Sequence, residues 1–231
     1  GVNPQVNDAN VLIRSNVEGT LNVLKLAKIL EAKRFIYCGS CFEYGSGEYF
    51  KEEMWPKPNC EYGASKVAGW VLAHAFGRKH GLPLVSLRPF TLYGPWESPH
   101  RLVSHVIRSV IEKKDIDLTD GKQSRDFVFI DDAARAFLNA AYLPSIEGET
   151  FNVGSGRSTT VKQMVDLILH LMRSKIKINW GALPHRSAEK GLVSADTTKA
   201  EAYLQWRAST TLEAGLQKTI DWFYANKRRV A

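Results

Sequence analysis

The sequence predicts an α/β fold built on a parallel sheet. Three observations carry this. Short apolar segments that read as strands alternate with longer segments of helical periodicity, the pattern of strand–helix–strand units with right-handed crossovers. Gly81-Leu82-Pro83 and Arg88-Pro89 punctuate that alternation at its expected boundaries. The chain has 231 residues, 44% of them apolar, which is enough to bury one large or two small cores.

Taken in order, residues 11–31 read as a helix with Val17, Leu21 and Leu24 on one stripe. Gly19 inside it would let a neighbouring element approach closely. Residues 34–38 form a short buried strand, in which Cys38 is expected to pack as a small apolar residue. A turn-rich stretch, 45–58, leads into a helix over 63–80. Residues 84–87 make the next strand. After Gly94-Pro95 the style changes, and the division between two units is placed near residues 95–99. The first unit is residues 1–97 and the second mainly 98–231. The second unit reads as helix 102–113, strands 116–118 and 127–130, a helix capped by Asp131 and running to Leu143, strand 150–153, helix 161–173, strand 176–179 and helix 211–226.

Composition narrows function. The formal net charge of +7 is modest and partly sits in Lys227-Arg228-Arg229. No basic block interleaves with aromatics, so nucleic acid is not an expected partner, and the scattered positives suit an anionic small molecule. No apolar run approaches the ~20 residues of a membrane span, so no membrane partner is expected. The three cysteines, Cys38, Cys41 and Cys60, are few and odd in number, which fits a reducing cytoplasm better than a disulfide framework. Cys38-Gly-Ser-Cys41 lacks a second ligand pair, and no metal site is expected.

Tyr62-Gly-Ala-Ser-Lys66, with Ser40 upstream at a strand end, is the chemical centre of the sequence. Tyr62 and Lys66, four apart on a helix, share one face. A free tyrosine has a pKa of about 10 and is a weak base at neutral pH. An ammonium beside it favours the phenolate, so Lys66 is expected to lower the Tyr62 pKa. Ser40 can relay a proton or hold a substrate oxygen. The set could take a proton from an alcohol while hydride leaves its carbon.

Further motifs extend this reading. Asn16-Val17-Glu18-Gly19-Thr20, Ser40 to Tyr44-Gly45, the Tyr62/Lys66 pair, Arg88-Pro89-Phe90 with Tyr93-Gly94-Pro95, Arg125-Asp126-Phe127-Val128 with Asp131-Asp132, Phe151-Asn152-Val153-Gly154, and Arg186 with Ala195-Asp196 stand in order along the chain. In this order they resemble the motifs of the extended short-chain dehydrogenase/reductase family, in its nucleotide-sugar epimerase and dehydratase branch. The resemblance implies a Rossmann-like doubly wound parallel sheet with a smaller α/β substrate-binding domain. It implies Tyr62 as acid/base, Lys66 on the nicotinamide ribose, and Ser40 on the reacting sugar oxygen. Asn16 and Phe90 match positions on the nicotinamide side. Arg125 and Arg186 match the arginines that grip a sugar-nucleotide diphosphate, with Asn152 nearby and Leu102 along the nucleotide. Guanidinium forks suit phosphate oxygens. The implied cofactor is NAD or NADP, the implied partner a nucleoside-diphosphate sugar, and the implied assembly a homodimer through the helices at 11–31 and 63–80.

Departures from the family pattern count as well. Cys41 and Phe42 stand where dehydratases carry the Asp-Glu pair that eliminates water, which points to an epimerase or a 4-keto-sugar reductase. Thr91 stands where many relatives place a substrate-binding Asn. The glycine-rich turn that opens the family's dinucleotide site is not found. The chain is therefore expected to be incomplete, or to have its other part supplied elsewhere. A protein that binds a sugar nucleotide without catalysis is the alternative.

Overall fold

The computed structural model describes residues 8–184 and 192–226. Asp8 caps helix α1 (Ala9–Ile13) by accepting from the Asn10 amide at 2.8 Å. The helix continues through one π turn, Arg14–Glu18, into α2 (Gly19–Ile29). The uninterrupted helix expected over 11–31 is thus broken in register at Asn16. The π turn lies against a neighbouring helix: a Cβ on Gly69 would stand 2.5 Å from the Asn16 carbonyl oxygen. Gly69 carries the close approach expected of Gly19, whose missing Cβ faces only its own helix.

Strand β1 (Phe35–Cys38) follows, then a 3-10 turn (Cys41–Glu43), β2 (Gly47–Phe50) and the long helix α3 (Glu61–His80). Cys60 caps α3 at its start and Gly81 at its end. Strand β3 (Leu84–Pro89) is buried along its whole length. It is the middle strand of a three-stranded parallel sheet ordered β1-β3-β8, where β8 is Thr150–Val153. The register pairs Phe35 with Leu84 and Leu87 with Phe151. Cys38 ends β1 exposed rather than packed.

Between β3 and β8 run β4 (Thr91–Tyr93), α4 (Leu102–Glu112), β5 (Ile116–Leu118), β6 (Ser124–Arg125), β7 (Phe127–Phe129) and α5 (Ile130–Tyr142). After β8 come β9 (Thr159–Thr160), α6 (Val161–Leu171), β10 (Ile178–Trp180), β11 (Leu192–Ala195), α7 (Thr198–Tyr203) and α8 (Leu212–Ala225). Short ladders tie these pieces: β4 to β7, β5 to β10 and β2 to β11 in parallel, and β6 to β9 antiparallel. Phe129, not Asp131, holds the N-cap position of α5. Asp131 sits in the first turn, where a carboxylate favours the helix dipole. Strand β10 starts later than the expected 176, since the Lys177 amide is taken by the Asp115 carboxylate at 2.8 Å.

Among the described residues three apolar clusters hold the fold together. One joins Val85, Leu87 and Phe90 to Phe151, Val153 and Leu204, so residues beyond 97 complete the first sheet. A second packs α4, α6 and α8 around Ile107, Met164, Ile168 and Leu216. The third sets Leu24 and Ala27 of α2 against Ala73 of α3 and Leu84 of β3. Together they fix where the C-terminal ends of β1, β3 and β8 emerge, which is the usual place for ligands in a parallel α/β sheet.

Candidate active site

The chain leaves β1 at Cys38 and turns at once. Ser40 caps the 3-10 turn: its Oγ accepts from the Phe42 amide at 3.2 Å, and its own amide donates to Glu43 Oε1 at 2.9 Å. This reciprocal capping fixes the serine side chain while leaving its hydroxyl proton available. Tyr62 enters from the first turn of α3. Its ring meets the Phe42 ring edge-on, with centroids 5.8 Å apart. Lys66, one turn further on, places Nζ 5.9 Å from the Tyr62 ring centroid and donates to the Cys38 carbonyl oxygen at 3.0 Å. Ser40, Tyr62 and Lys66 therefore converge at the end of β1.

Burial dominates the electrostatics there. It pushes the Tyr62 phenol up to about 12, opposed by the Ser40 hydroxyl as a hydrogen-bond partner and reinforced by Cys38, Cys41 and Glu43. The shift runs opposite to the lowering expected from Lys66, whose ammonium is engaged with the Cys38 carbonyl. Tyr62 is thus a protonated hydroxyl at neutral pH, ready to donate. The Cys41 thiol, fully buried, is likewise pushed up to about 12, although the charge of Arg125 pulls it down.

The other expected residues divide. Asn16 reaches the Tyr62 helix, but its side-chain amide donates to Ser65 Oγ at 2.9 Å, and Ser65 donates to the Tyr62 carbonyl at 2.8 Å. It braces the helix from behind. Phe90 is 6% exposed and lies in the core, 6.3 Å from the Phe50 ring. Leu102 opens α4 half-buried beside the second cluster. Arg125 is buried in β6, donates to the Ser124 carbonyl at 2.8 Å, and its charge is felt at Cys41 beside Ser40. Arg186 lies outside the described residues, so the expected convergence of Arg125 and Arg186 is not described.

Asn152 is held entirely by internal bonds. It is 0% exposed. Its Oδ1 accepts from Tyr44 Oη at 2.7 Å, and its Nδ2 donates to the carbonyls of Phe50 at 2.9 Å and Asp196 at 3.3 Å. Both amide protons are committed inside the chain, so Asn152 ties β8 to the Phe50 and Asp196 backbones.

Residues the sequence reading left without a role surround it. Glu43 and Arg88 form a buried ion pair at 2.7 Å, with Tyr44 accepting from the same guanidinium at 3.0 Å. The spacing Ser40-x-x-Glu43 is itself a capping-box signature and could have flagged Glu43. Asp126 is 1% exposed and accepts from the amides of Ser155 at 2.6 Å, Gly156 at 2.9 Å and Ala195 at 3.0 Å. One carboxylate thereby fixes the loop after β8 and the end of β11 beside Arg125.

The chain and its fold are similar to those of known proteins. The chain is 30% identical over 230 residues to the UDP-glucuronate 4-epimerase of Thermodesulfobacterium geofontis, covering 98% of this chain and 70% of that protein. Among solved structures, MoeE5 in complex with UDP-glucuronic acid and NAD superposes with a TM-score of 0.91 at 28% identity, over 100% of this chain and 77% of that one. The UDP-glucuronic acid 4-epimerase of Bacillus cereus, in complex with UDP-glucuronic acid and NAD, follows with a TM-score of 0.87 at 27% identity, over 92% of this chain and 68% of its own. The α/β architecture is therefore that of Rossmann-like epimerases. The model of the NAD dependent epimerase/dehydratase family matches residues 1–154. With Ser40, Tyr62 and Lys66 gathered at the end of its parallel sheet, this chain belongs to the NAD-dependent epimerase/dehydratase family.

Proposed function

We propose that the protein is an NAD-dependent 4-epimerase of a UDP-linked sugar, with Tyr62 as its acid/base. The observation that carries this reading is the meeting of Ser40, Tyr62 and Lys66 at the end of β1. NAD, when bound, supplies the acceptor and donor of the hydride. The site fits its ribose: Lys66 has three donors and spends one on the Cys38 carbonyl, leaving two beside the Tyr62 ring for a diol. Ser40, capped through its acceptor side, offers its proton to the sugar oxygen or to Tyr62. Tyr62 exchanges a proton with the sugar hydroxyl, and an approach of Lys66 to the phenol is what would bring its high pKa down. Arg125 serves the diphosphate.

Cys41 and Phe42 favour epimerisation over elimination of water. A buried thiol held up at about 12 is not ionised at neutral pH, and a phenyl ring has no acidic or basic group.

The protein is inferred to work as a homodimer. Val23, Leu26, Ile29 and Leu30 leave α2 more than half exposed, and Val71 does the same on the adjacent α3. A two-fold contact would cover this apolar stripe. Light scattering at micromolar concentration tests it, and a monomer would refute it. The three free thiols accord with a cytoplasmic location. No helix among the described residues is long and apolar enough to cross a membrane.

The decisive experiment adds NAD and UDP-glucuronate to the intact protein and follows the sugar ring protons by NMR. The 4-epimer is expected, and Tyr62→Phe is expected to slow its formation about 10²-fold or more, the usual worth of acid–base catalysis. Equal rates in the two proteins would remove Tyr62 from the mechanism. Net consumption of added NADH by a 4-keto sugar, without epimer, would make the enzyme a reductase instead.

A further inference from the structure

We propose that the buried Glu43–Arg88 ion pair is a positioning device that holds the Ser40 turn and Asn152 of β8 in one register. The proposal rests on the reading of Ser40 as the residue that contacts the sugar. A continuous chain of bonds carries it. Glu43 Oε1 accepts from the Ser40 amide at 2.9 Å, and Glu43 Oε2 accepts from Arg88 Nε at 2.7 Å. Arg88 Nη1 donates to Tyr44 Oη at 3.0 Å and to the Glu52 carbonyl at 3.3 Å. Tyr44 Oη donates in turn to Asn152 Oδ1 at 2.7 Å. The Asn152 amide then closes on Glu52 Oε1 at 2.8 Å.

None of these central groups faces water. Glu43 and Asn152 are 0% exposed, Arg88 is 1% and Tyr44 is 4%. The guanidinium is also sandwiched, with its carbon 4.7 Å from the Tyr44 ring centroid and 5.1 Å from that of Trp70. Gly39 makes the room: a Cβ there would stand 2.4 Å from Glu43 Oε1.

A buried ion pair is a poor source of stability, because desolvation offsets the attraction and an apolar pair of the same volume is often as stable. What the pair does supply is direction. Glu43 aims one oxygen at the Ser40 amide and the other at a fork that cannot bend. The Ser40 hydroxyl is thereby set relative to Tyr62, and a displacement of about 1 Å at such a group can cost about 10²-fold in rate. Arg88 comes from β3 and Asn152 from β8, so the device ties the serine turn to the two strands beside it.

The test separates position from stability. In the double variant Glu43→Leu/Arg88→Met the charges go together, so its Tm is expected within about 3 °C of wild type, which for a chain this size is close to unchanged stability. Its kcat for UDP-glucuronate with NAD is expected to fall about tenfold or more, with KM moving less than about threefold. Amide hydrogen exchange at Ser40 and Phe42 is expected to quicken about tenfold, while Val85 and Leu87 in β3 keep their protection. Tyr44→Phe deletes one oxygen from the middle of the chain and serves if the double variant does not fold. A smaller fall in kcat and the same faster exchange at Ser40 are expected of it. Wild-type kcat together with wild-type exchange at Ser40 in whichever variant folds would overturn the proposal. Should the wild-type protein form no epimer, the proposed function fails, yet exchange at Ser40 still decides whether the device exists.

Discussion

The two main cores of this protein are built from different materials. Around α4, α6 and α8 the buried cluster is mainly apolar, with Val106, Ile107, Met164, Val165 and Ile168 at 0% exposure, and its buried hydroxyls, Ser104 and Thr219, bond to carbonyls close by in sequence, of Ser98 and Gly215. Around β1, β3 and β8 the core is interrupted by Glu43, Arg88, Asn152 and Ser86, all 1% exposed or less. Apolar packing tolerates small shifts, because dispersion contacts are many and non-directional. Hydrogen-bonded charges do not, since each has one geometry that satisfies it. The polar core lies directly behind Ser40, where position matters, and the apolar core lies where only cohesion is required.

That contrast predicts opposite consequences for substitutions of similar size. The largest effect is expected from Arg88→Met alone, which leaves Glu43 buried without a partner. Loss of one member of a buried pair costs about 3–5 kcal/mol. Urea denaturation should show this loss, and a loss under 1 kcal/mol would mean that water reaches Glu43. Next comes Ile168→Ala in α6, where a cavity should cost about 2–5 kcal/mol. Here the signature is the reverse of the double variant at Glu43 and Arg88: stability falls while kcat per folded molecule stays at the wild-type value. A tenfold drop in kcat would show that the apolar core also sets the site, and the comparison would collapse.

Much of this division was readable in the sequence, but unevenly. Strand Thr150–Val153 and the long helix after Cys60 follow from periodicity and from Gly81, and the structure places them within two residues. Ser40, Tyr62 and Lys66 were legible because their chemistry and spacing are local. The two-residue ladder Ser124–Arg125 with Thr159–Thr160 was not, since so short a pair exists only through contacts far apart in the chain. The pairing of Glu43 with Arg88 is hidden for the same reason: each stands in a local motif, but 45 positions separate them. Asn152 shows the converse: its motif is local, but that both its amide protons are spent on Phe50 and Asp196 is visible only in the folded geometry.

A smaller effect sharpens the comparison at a helix end. Thr160 caps α6 in the apolar region, accepting from the Gln163 amide at 3.1 Å while Gln163 Oε1 accepts from the Thr160 amide at 2.8 Å. Thr160→Ala should cost about 1 kcal/mol, within the range for a lost N-cap. Thermal unfolding measures it, and no change in Tm would show that the cap is replaced by solvent.

The smallest effect at neutral pH belongs to His74, which extends the polar core into α3. Its Nε2 lies 2.8 Å from Ser86 Oγ in β3, and its ring packs against Trp70 at 5.1 Å. Burial, then the charges of Arg78 and Arg88, push its pKa down to about 4, with Glu149 pulling weakly the other way. The unfolded chain takes up a proton on this imidazole near pH 6.5, whereas the folded protein resists until about pH 4. Unfolding therefore binds a proton between these values. The contribution of His74 is complete above pH 6.5 and is lost as the pH falls toward 4. Glu43, Glu52, Glu97 and Asp126, all raised by burial, act in the opposite sense, since they gain stability as they protonate in the fold. The total slope mixes the two, so the informative quantity is the difference between wild type and His74→Gln, which keeps an N–H for Ser86 and cannot titrate. Urea midpoints should coincide in form at pH 8 and diverge below pH 6.5, the variant losing less on acidification. Parallel curves down to pH 4.5 would assign the acid sensitivity to another group and confine the polar core to the Ser40 side of β3.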